Sequence, residues 1–126
     1  MPYIRITSLP FNPPLAIDQV LVGVSEDFSQ QMAIAIKHIS ASWHYLEKNH
    51  YVVAGNASEY QAKQSHPLIV EILAPDFTQQ EAIEKMLLSV AKSLARLTGL
   101  DETNIFINYQ GARSGQVFDN GDLVSW

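Results

Sequence analysis

The sequence opens with Met1-Pro2-Tyr3-Ile4-Arg5-Ile6, a short segment in which aliphatic residues alternate with larger polar ones. Ile4 and Ile6 share one face, and this period of two predicts a β-strand over residues 3–8. The proline-rich residues 9–14 cannot continue a strand ladder, because proline lacks the amide donor. The chain is therefore predicted to begin with a strand that has Pro2 immediately in front of it.

Pro2 gives this strand a candidate chemistry. Its small ring favours removal of Met1, after which the chain would begin with a secondary amine. Such an amine can be a general base when it is sheltered, because desolvation lowers the pKa of an ammonium group from its reference value of roughly 7.7–8.0. The structural alternative is that Pro2 only opens an edge strand, where its missing N–H costs nothing.

Length and composition bound the fold and the partners. The 126 residues, 47% hydrophobic and 17% charged, predict a single globular domain over residues 1–126. The net charge of −5, with only eight scattered Lys and Arg, argues against nucleic acid or an anionic membrane surface as a partner. There is no apolar run of about 18 residues, so we expect no membrane span. The N-terminal residues lack the basic segment followed by an apolar segment that is typical of a signal peptide, so we expect a cytoplasmic location.

The reactive side chains exclude several kinds of site. No cysteine is present, so disulfides, thiolate nucleophiles and sulfur-ligated metals are ruled out. The four histidines form no H-x-H or H-x-x-x-H pair, and a metal is not expected. The sequence has no Gly-rich phosphate loop or nucleophile elbow. We therefore expect no cofactor.

The first half of the chain predicts a helix followed by short strands. Residues 15–24 are apolar and β-branched, and they fit either a short strand or the lead-in to a helix. Ser25 has the features of an N-cap, with two acidic residues in the turn behind it, and predicts a helix over residues 25–38. Two strands are predicted over residues 43–48 and 51–54.

The second half contains the clearest helix signal. The polar residues 55–66 predict a loop, and the apolar run 68–73 predicts a central strand. Thr78-Gln79-Gln80-Glu81 is a capping-box pattern, and helical spacing of apolar residues behind it predicts a helix over residues 78–98. Gly99 supplies the stop signal.

The order of elements predicts the architecture. A strand follows over residues 105–109, and Asn120-Gly121 predicts a hairpin over residues 117–124. The series strand, helix, strand thus occurs twice, over residues 2–54 and 67–109. We expect an α+β fold, a two-layer sandwich of two pseudo-repeated β-α-β units, with two helices on one face of a four-stranded core sheet and additional short strands. The other sheet face would be uncovered, which favours self-association.

These features together resemble the tautomerase superfamily, most of all its longer members built as macrophage migration inhibitory factor is. The resemblance lies in Met1-Pro2 on the first strand, the repeated unit, the segment Leu100–Tyr109 with its Ile-Asn-Tyr run, and the Asn-Gly hairpin. The opening segment and the residues after the second helix are still more similar to a bacterial branch of the superfamily. Residues 9–24, which have the character of an insertion, and residues 55–66 lie outside the resemblance.

The resemblance implies a trimer in which the amino-terminal proline lies in a pocket at a subunit boundary. There the proline moves protons between carbon and oxygen of keto–enol acids, so Pro2 would be the catalytic base acting on a small carboxylate-bearing substrate. Lys37 matches a lysine that faces the substrate carboxylate, although a lysine at a helix C-terminus also complements the macrodipole. Asn108 matches an asparagine that borders the pocket from the neighbouring subunit, and its structural alternative is a strand polar residue paired to a turn.

Phe106 and Arg113 are two further candidate substrate-binding residues. Phe106 stands where the inhibitory-factor members have a tyrosine, so a hydroxyl facing the ligand is absent here. Arg113 could supply positive charge for an acid substrate, or it could be a solvated loop arginine. The dehalogenating branches place paired arginines where this chain has Ala74-Pro75-Asp76, which argues against halo-acid hydrolysis.

Two hypotheses for the function remain open from the sequence. The first is a keto–enol tautomerase with Pro2 as its base. The second is a non-catalytic trimer of the same fold that binds a small molecule or a protein. Removal of Met1 in the native protein would favour the first.

Overall fold

The structure is a computed structural model and describes residues 2–126; Met1, with its predicted removal, lies outside the described residues. Its elements in chain order are β1 (Tyr3–Ser8), α1 (Ile17–Met32), β2 (Ser40–Tyr45), β3 (Val52–Val53), β4 (Asn56–Ala57), β5 (Leu68–Pro75), α2 (Gln80–Thr98), β6 (Ile105–Ala112), β7 (Val117–Asp119) and β8 (Asp122–Val124). Single 3₁₀ turns over Ile36–His38 and Glu102–Asn104 lead into β2 and β6.

The main sheet has the strand order β2-β1-β5-β6. Strands β1 and β2 are parallel, as are β5 and β6, and the two pairs join through antiparallel β1 and β5. Each parallel pair is connected through one helix, as a β-α-β unit requires. This arrangement confirms the predicted α+β architecture with two repeated units.

Both helices pack on one face of this sheet. In α1, Val20, Val24 and Phe28 recur every four residues and are buried, and in α2 Val90 and Leu94 do the same. Their partners on the sheet are the alternate, fully buried residues of β1 and β5: Ile4, Ile6, Leu68, Val70 and Ile72. Each such side chain removed from water contributes about 1.5–3 kcal/mol, so this layer holds the domain together. Both helices are amphipathic. Among the described residues, no helix is both long enough and apolar enough to cross a bilayer.

The first helix differs from its prediction. It begins at Ile17 and ends at Met32, so the predicted span of residues 25–38 is wrong. Of the two alternatives for residues 15–24, a short strand or the lead-in to a helix, the structure has the helical one. The Ser25 Oγ donates to the Leu21 carbonyl at 2.8 Å, a bond inside the helix, and therefore does not cap it. Ala33, with φ of 53°, adopts the left-handed conformation that ends the helix.

The strands after α1 also differ in position and pairing. The strand predicted over residues 43–48 lies at Ser40–Tyr45 and pairs in parallel with β1. The predicted 51–54 strand is reduced to Val52–Val53, which pairs with Asn56–Ala57 inside the expected loop. That pairing forms a small separate hairpin.

The second helix ends as predicted and starts differently. Gly99, with φ of 76°, closes it, and its amide donates to the Ala95 carbonyl at 3.0 Å. The capping box is not formed: the Thr78 hydroxyl donates to the Pro75 carbonyl at 2.7 Å, and the helix begins at Gln80. The side chain of Thr78 is thus used in the turn that leaves β5.

Candidate active site

The sheet face opposite the helices is open, and its side chains lie in rows across the four strands. The register places three rows on this face: Ser40, Tyr3, Leu73, Gln110; Ser42, Arg5, Glu71, Asn108; and His44, Thr7, Ile69, Phe106. Glu71, the one charged residue in an otherwise apolar strand, therefore points away from the core and lies opposite Arg5. Opposite charges at directly facing positions are favourable in an antiparallel pair.

Pro2 lies at the end of this sheet. It is buried, and its carbonyl oxygen accepts a hydrogen bond of 3.1 Å from the amide of Ser40. That bond extends the β1–β2 ladder by one residue beyond Tyr3 and holds the backbone of Pro2 beside the start of β2. The position of Pro2 is therefore fixed by the sheet itself.

A wide cleft of about 1020 Å³ lies against the same end of the open face. Tyr3, Ser40 and Leu73 of the first row line one side, and the hairpin of β7 and β8 lines another. Lys37 also lines the cleft, and it is exposed there. It comes from the 3₁₀ turn Ile36–His38 and not, as predicted, from the end of the first helix, because α1 stops at Met32.

The C-terminal segment holds the β7–β8 hairpin over the cleft. Asn120 and Gly121 at its tip have φ of 50° and 85°, the left-handed pair that the Asn-Gly signal predicts. Behind the hairpin, the indole N–H of Trp126 donates to the Asp76 carboxylate at 2.9 Å, and its backbone amide donates to the Ser114 hydroxyl at 2.8 Å. The first bond joins Trp126 to the segment that follows β5, and the second joins it to the segment that follows β6.

Charges of both signs line the cleft. Lys37 is a cation, whereas Asp119 and Asp122 are carboxylates that face each other across the hairpin. Like charges at directly opposed positions repel, and both carboxylates would also repel an anionic ligand. Within this cleft, the surroundings of Lys37 are therefore where a carboxylate would be bound.

A chain of hydrogen bonds leaves the cleft along the open face. The Tyr3 hydroxyl lies 2.6 Å from the Ser42 hydroxyl, which lies 3.2 Å from the His44 Nε2. Tyr3 and Ser42 are half-buried, and His44 is exposed. These hydrogen bonds thus connect the hydroxyl of a cleft-lining tyrosine to a titratable imidazole.

The structure brings only some of the predicted site residues together. Pro2 and Lys37 lie at the same end of β1 and β2, whereas Asn108 and Phe106, exposed on the open face, belong to the opposite edge strand β6. Two strand spacings, roughly 10 Å, separate β6 from β1. Arg113 is exposed just beyond the end of β6 and does not line the cleft.

Tyr3, Asp119 and Asp122 are among the cleft-lining residues that were not predicted from the sequence. Tyr3 could have been found, because the alternation of the first strand already places it opposite Ile4 on the non-core face. Asp119 and Asp122 gave no such signal, because the hairpin motif does not reveal that the hairpin folds back over the start of β1.

Comparison with known proteins identifies the fold. No protein-family model matches the sequence, and no curated protein sequence is similar to it. Solved structures do match. They include Pt0534 inactivated by 2-oxo-3-pentynoate (16% identity, TM-score 0.82, covering 97% of this chain and 94% of that one) and a fused 4-OT in a symmetric trimer (13% identity, TM-score 0.79, covering 96% and 94%). A macrophage migration inhibitory factor homologue from Prochlorococcus marinus matches at 15% identity and a TM-score of 0.74, covering 98% of this chain and 99% of that one. The chain therefore has the fold of the tautomerase superfamily, as its sequence resemblance predicted.

Proposed function

We propose that this chain, which has the tautomerase fold, is a homotrimeric keto–enol tautomerase in which residues 1–126 act as one domain and Pro2 is the general base. The observation on which this proposal rests is the placement of Pro2: it is buried, the Ser40 amide holds it at the end of β1, and its neighbours Tyr3 and Ser40 line the cleft that contains Lys37. Once Met1 is removed, the imino nitrogen of Pro2 is free. Burial disfavours the ammonium form, so the nitrogen would act as a base near neutral pH.

The proposed reaction moves one proton between carbon and oxygen. Pro2 removes a proton from the carbon next to a carbonyl, and the electron pair of that C–H bond forms the enol double bond. The π pair of the C=O bond moves to the oxygen, which takes a proton from solvent. Lys37 would bind the carboxylate of the substrate. The neighbour Pt0534 was inactivated by 2-oxo-3-pentynoate, a small 2-oxo acid, and that supports a substrate of this chemical class here.

Trimer formation would complete the site. The open face exposes apolar side chains, with Phe106 58% exposed, and the fused 4-OT neighbour is a symmetric trimer. In a closed ring each interface joins two different edges of the subunit, so the β6 edge of one copy would meet the β2 edge of the next. Asn108 and Phe106, two strands away from Pro2 in their own chain, would then border the cleft of the neighbour. Arg113, just beyond β6, would add positive charge on that side.

The test compares three forms of the protein in the ketonisation of small enol acids. The chain beginning at Pro2 is expected to be active, and both Pro2→Ala and a chain with one additional residue before Pro2 are expected to lose about 10²–10⁴-fold in rate. Pro14→Ala, at an exposed proline, is the matched control and should keep full activity. Equal rates for the Pro2 forms would exclude Pro2 as the base. Absence of turnover in all forms would favour the non-catalytic binding trimer.

A second test has a readout other than turnover. 2-Oxo-3-pentynoate has an alkyne conjugated to a ketone, and a neutral amine adds to it: a C–N bond forms as one π bond of the alkyne breaks, and the amine proton passes to the adjacent carbon. We expect it to modify Pro2 once per chain, as located by mass spectrometry of the N-terminal peptide, and not to modify the chain with an added residue, whose Pro2 nitrogen is an amide. Labelling of lysines in place of Pro2 would contradict the assignment.

A further inference from the structure

We propose that Tyr3, Ser42 and His44 form a proton relay in which the Tyr3 hydroxyl exchanges a proton with the substrate's oxygen while Pro2 exchanges one with its carbon. The inference rests on the proposed function and adds the group that acts on oxygen. Tyr3 would be a catalytic residue in direct contact with the substrate, whereas Ser42 and His44 would act through it.

The geometry of the open face supports the relay. In the β1–β2 register Tyr3 lies opposite Ser40, but its hydroxyl extends one row farther and reaches the Ser42 Oγ at 2.6 Å. The Ser42 Oγ lies 3.2 Å from the His44 Nε2. Ser42 and His44 are two residues apart on β2, so their side chains share the face on which Tyr3 lies.

Core packing does not require these contacts. Tyr3 and Ser42 are half-buried and His44 is exposed, so water could satisfy each of the three groups. The series of hydrogen bonds also begins at the cleft, because Tyr3 is one of the residues that line the cleft. Pro2 directly precedes Tyr3, and its carbonyl is bonded to the strand that supplies Ser42 and His44.

Pro2, Tyr3, Ser42 and His44 together account for every proton that moves in the reaction. In ketonisation, the proton of the enol hydroxyl passes to the Tyr3 oxygen, the Tyr3 proton passes to Ser42, and the Ser42 proton passes to the His44 Nε2. The electron pair of the broken O–H bond forms the carbonyl, and the double-bond pair takes a proton from protonated Pro2. One proton thus leaves Pro2 and one arrives at His44, and exchange with solvent restores both.

The test uses conservative variants of the full-length mature chain. Tyr3→Phe is expected to lower kcat about 10²-fold, and Ser42→Ala about tenfold, with KM nearly unchanged. The double variant should be no slower than Tyr3→Phe alone, because both remove the same path. Ser42→Thr keeps the hydroxyl and should retain most of kcat. Tyr45→Phe, on the other face of β2, is the matched control.

A kinetic isotope measurement distinguishes proton transfer through Ser42 and His44 from a role in which they only position Tyr3. In mixtures of H₂O and D₂O, a plot of the wild-type kcat against the deuterium fraction of the solvent should be curved, because several protons move in the same step. In Ser42→Ala the dependence should become linear. Thermal unfolding of each variant verifies that it is folded.

The possible outcomes distinguish the relay from the base. If Tyr3→Phe keeps its kcat within about twofold of wild type while Pro2→Ala is inactive, the relay is wrong and the base stands. If Tyr3→Phe is slow while Pro2→Ala is active, the base assignment is wrong and the relay stands. If the wild-type chain ketonises no enol acid, both are overturned.

Discussion

The backbone amide of Ser40 donates a hydrogen bond of 3.1 Å to the carbonyl oxygen of Pro2. This bond holds the residue before β1 in the sheet through its carbonyl and leaves its nitrogen uninvolved. A residue added before Pro2 would therefore leave the ladder intact and change only the chemistry of that nitrogen. The fold and the proposed catalysis can accordingly be tested separately.

The open sheet face should determine the oligomeric state. The wild-type chain is expected to have a mass in solution three times its 14.1 kDa, because burial of the apolar residues on this face stabilises association. Phe106→Asp, which places a charge at a 58%-exposed phenylalanine on this face, should yield single chains. Leu88→Asp, at a 57%-exposed leucine of α2, is the matched control and should remain trimeric. Light scattering distinguishes these outcomes, and a single-chain mass for the wild type would contradict the trimer.

The two signs of charge in the cleft should have opposite effects on substrate binding. Lys37→Gln is expected to raise KM about two- to fivefold, because it removes a solvent-accessible ion pair with the substrate carboxylate. Asp119→Asn should lower KM, because it removes a repulsive carboxylate from the lining. Both effects should shrink at high ionic strength, whereas kcat should change little.

Lys92→Gln, which removes a lysine from α2, controls for the change in net charge. Steady-state kinetics of the four proteins at low and high salt is the measurement. A KM that rose equally for Lys37→Gln and Lys92→Gln would show that the long-range field, and not a contact with Lys37, attracts the substrate.

Two glycines should respond differently to alanine although both lie close to a neighbour. A Cβ on Gly111 would lie 2.9 Å from the Asp76 Cβ and 3.1 Å from its Cα, and a backbone cannot move aside easily. Gly111→Ala should therefore lower the free energy of unfolding by about 1–3 kcal/mol. A Cβ on Gly23 would lie 2.8 Å from a terminal methyl of Leu97, which can change rotamer, and alanine favours the helix by about 1 kcal/mol. Gly23→Ala should be close to neutral, and denaturant unfolding of both variants checks the contrast.

The sequence predicted the fold where a local signal coincided with the final structure. Gly99 and Asn120-Gly121 adopt the left-handed backbone that their types favour, and the spacing of apolar residues in α2 located that helix. Ser25 misled the interpretation because a serine before two acidic residues is typical of an N-cap. In the folded protein its hydroxyl bonds to the preceding turn, and the helix had already begun at Ile17.

The candidate site was harder to predict than the fold, because its residues come together only through contacts between distant parts of the sequence. Pro2 was a candidate base from the opening residues and Lys37 came from the family resemblance, and the structure places both at one end of the sheet. No local pattern places Asp119 in the same cleft, since that requires the hairpin to fold back over a strand more than a hundred residues earlier. The bond between Tyr3 and Ser42 likewise depends on the β1–β2 register, which the sequence did not specify.

The central claim concerns the Pro2 nitrogen, and an NMR titration tests it most directly. The mature chain labelled with ¹⁵N-proline would be titrated while kcat/KM for enolisation of a small 2-oxo acid, the direction in which Pro2 accepts the proton, is measured over the same pH range. We predict that the pKa of the Pro2 nitrogen lies below the α-amino reference range of roughly 7.7–8.0 and that kcat/KM rises with pH through that same value, because the base must be unprotonated. A Pro2 nitrogen that stays protonated throughout the range of activity would contradict the proposed mechanism.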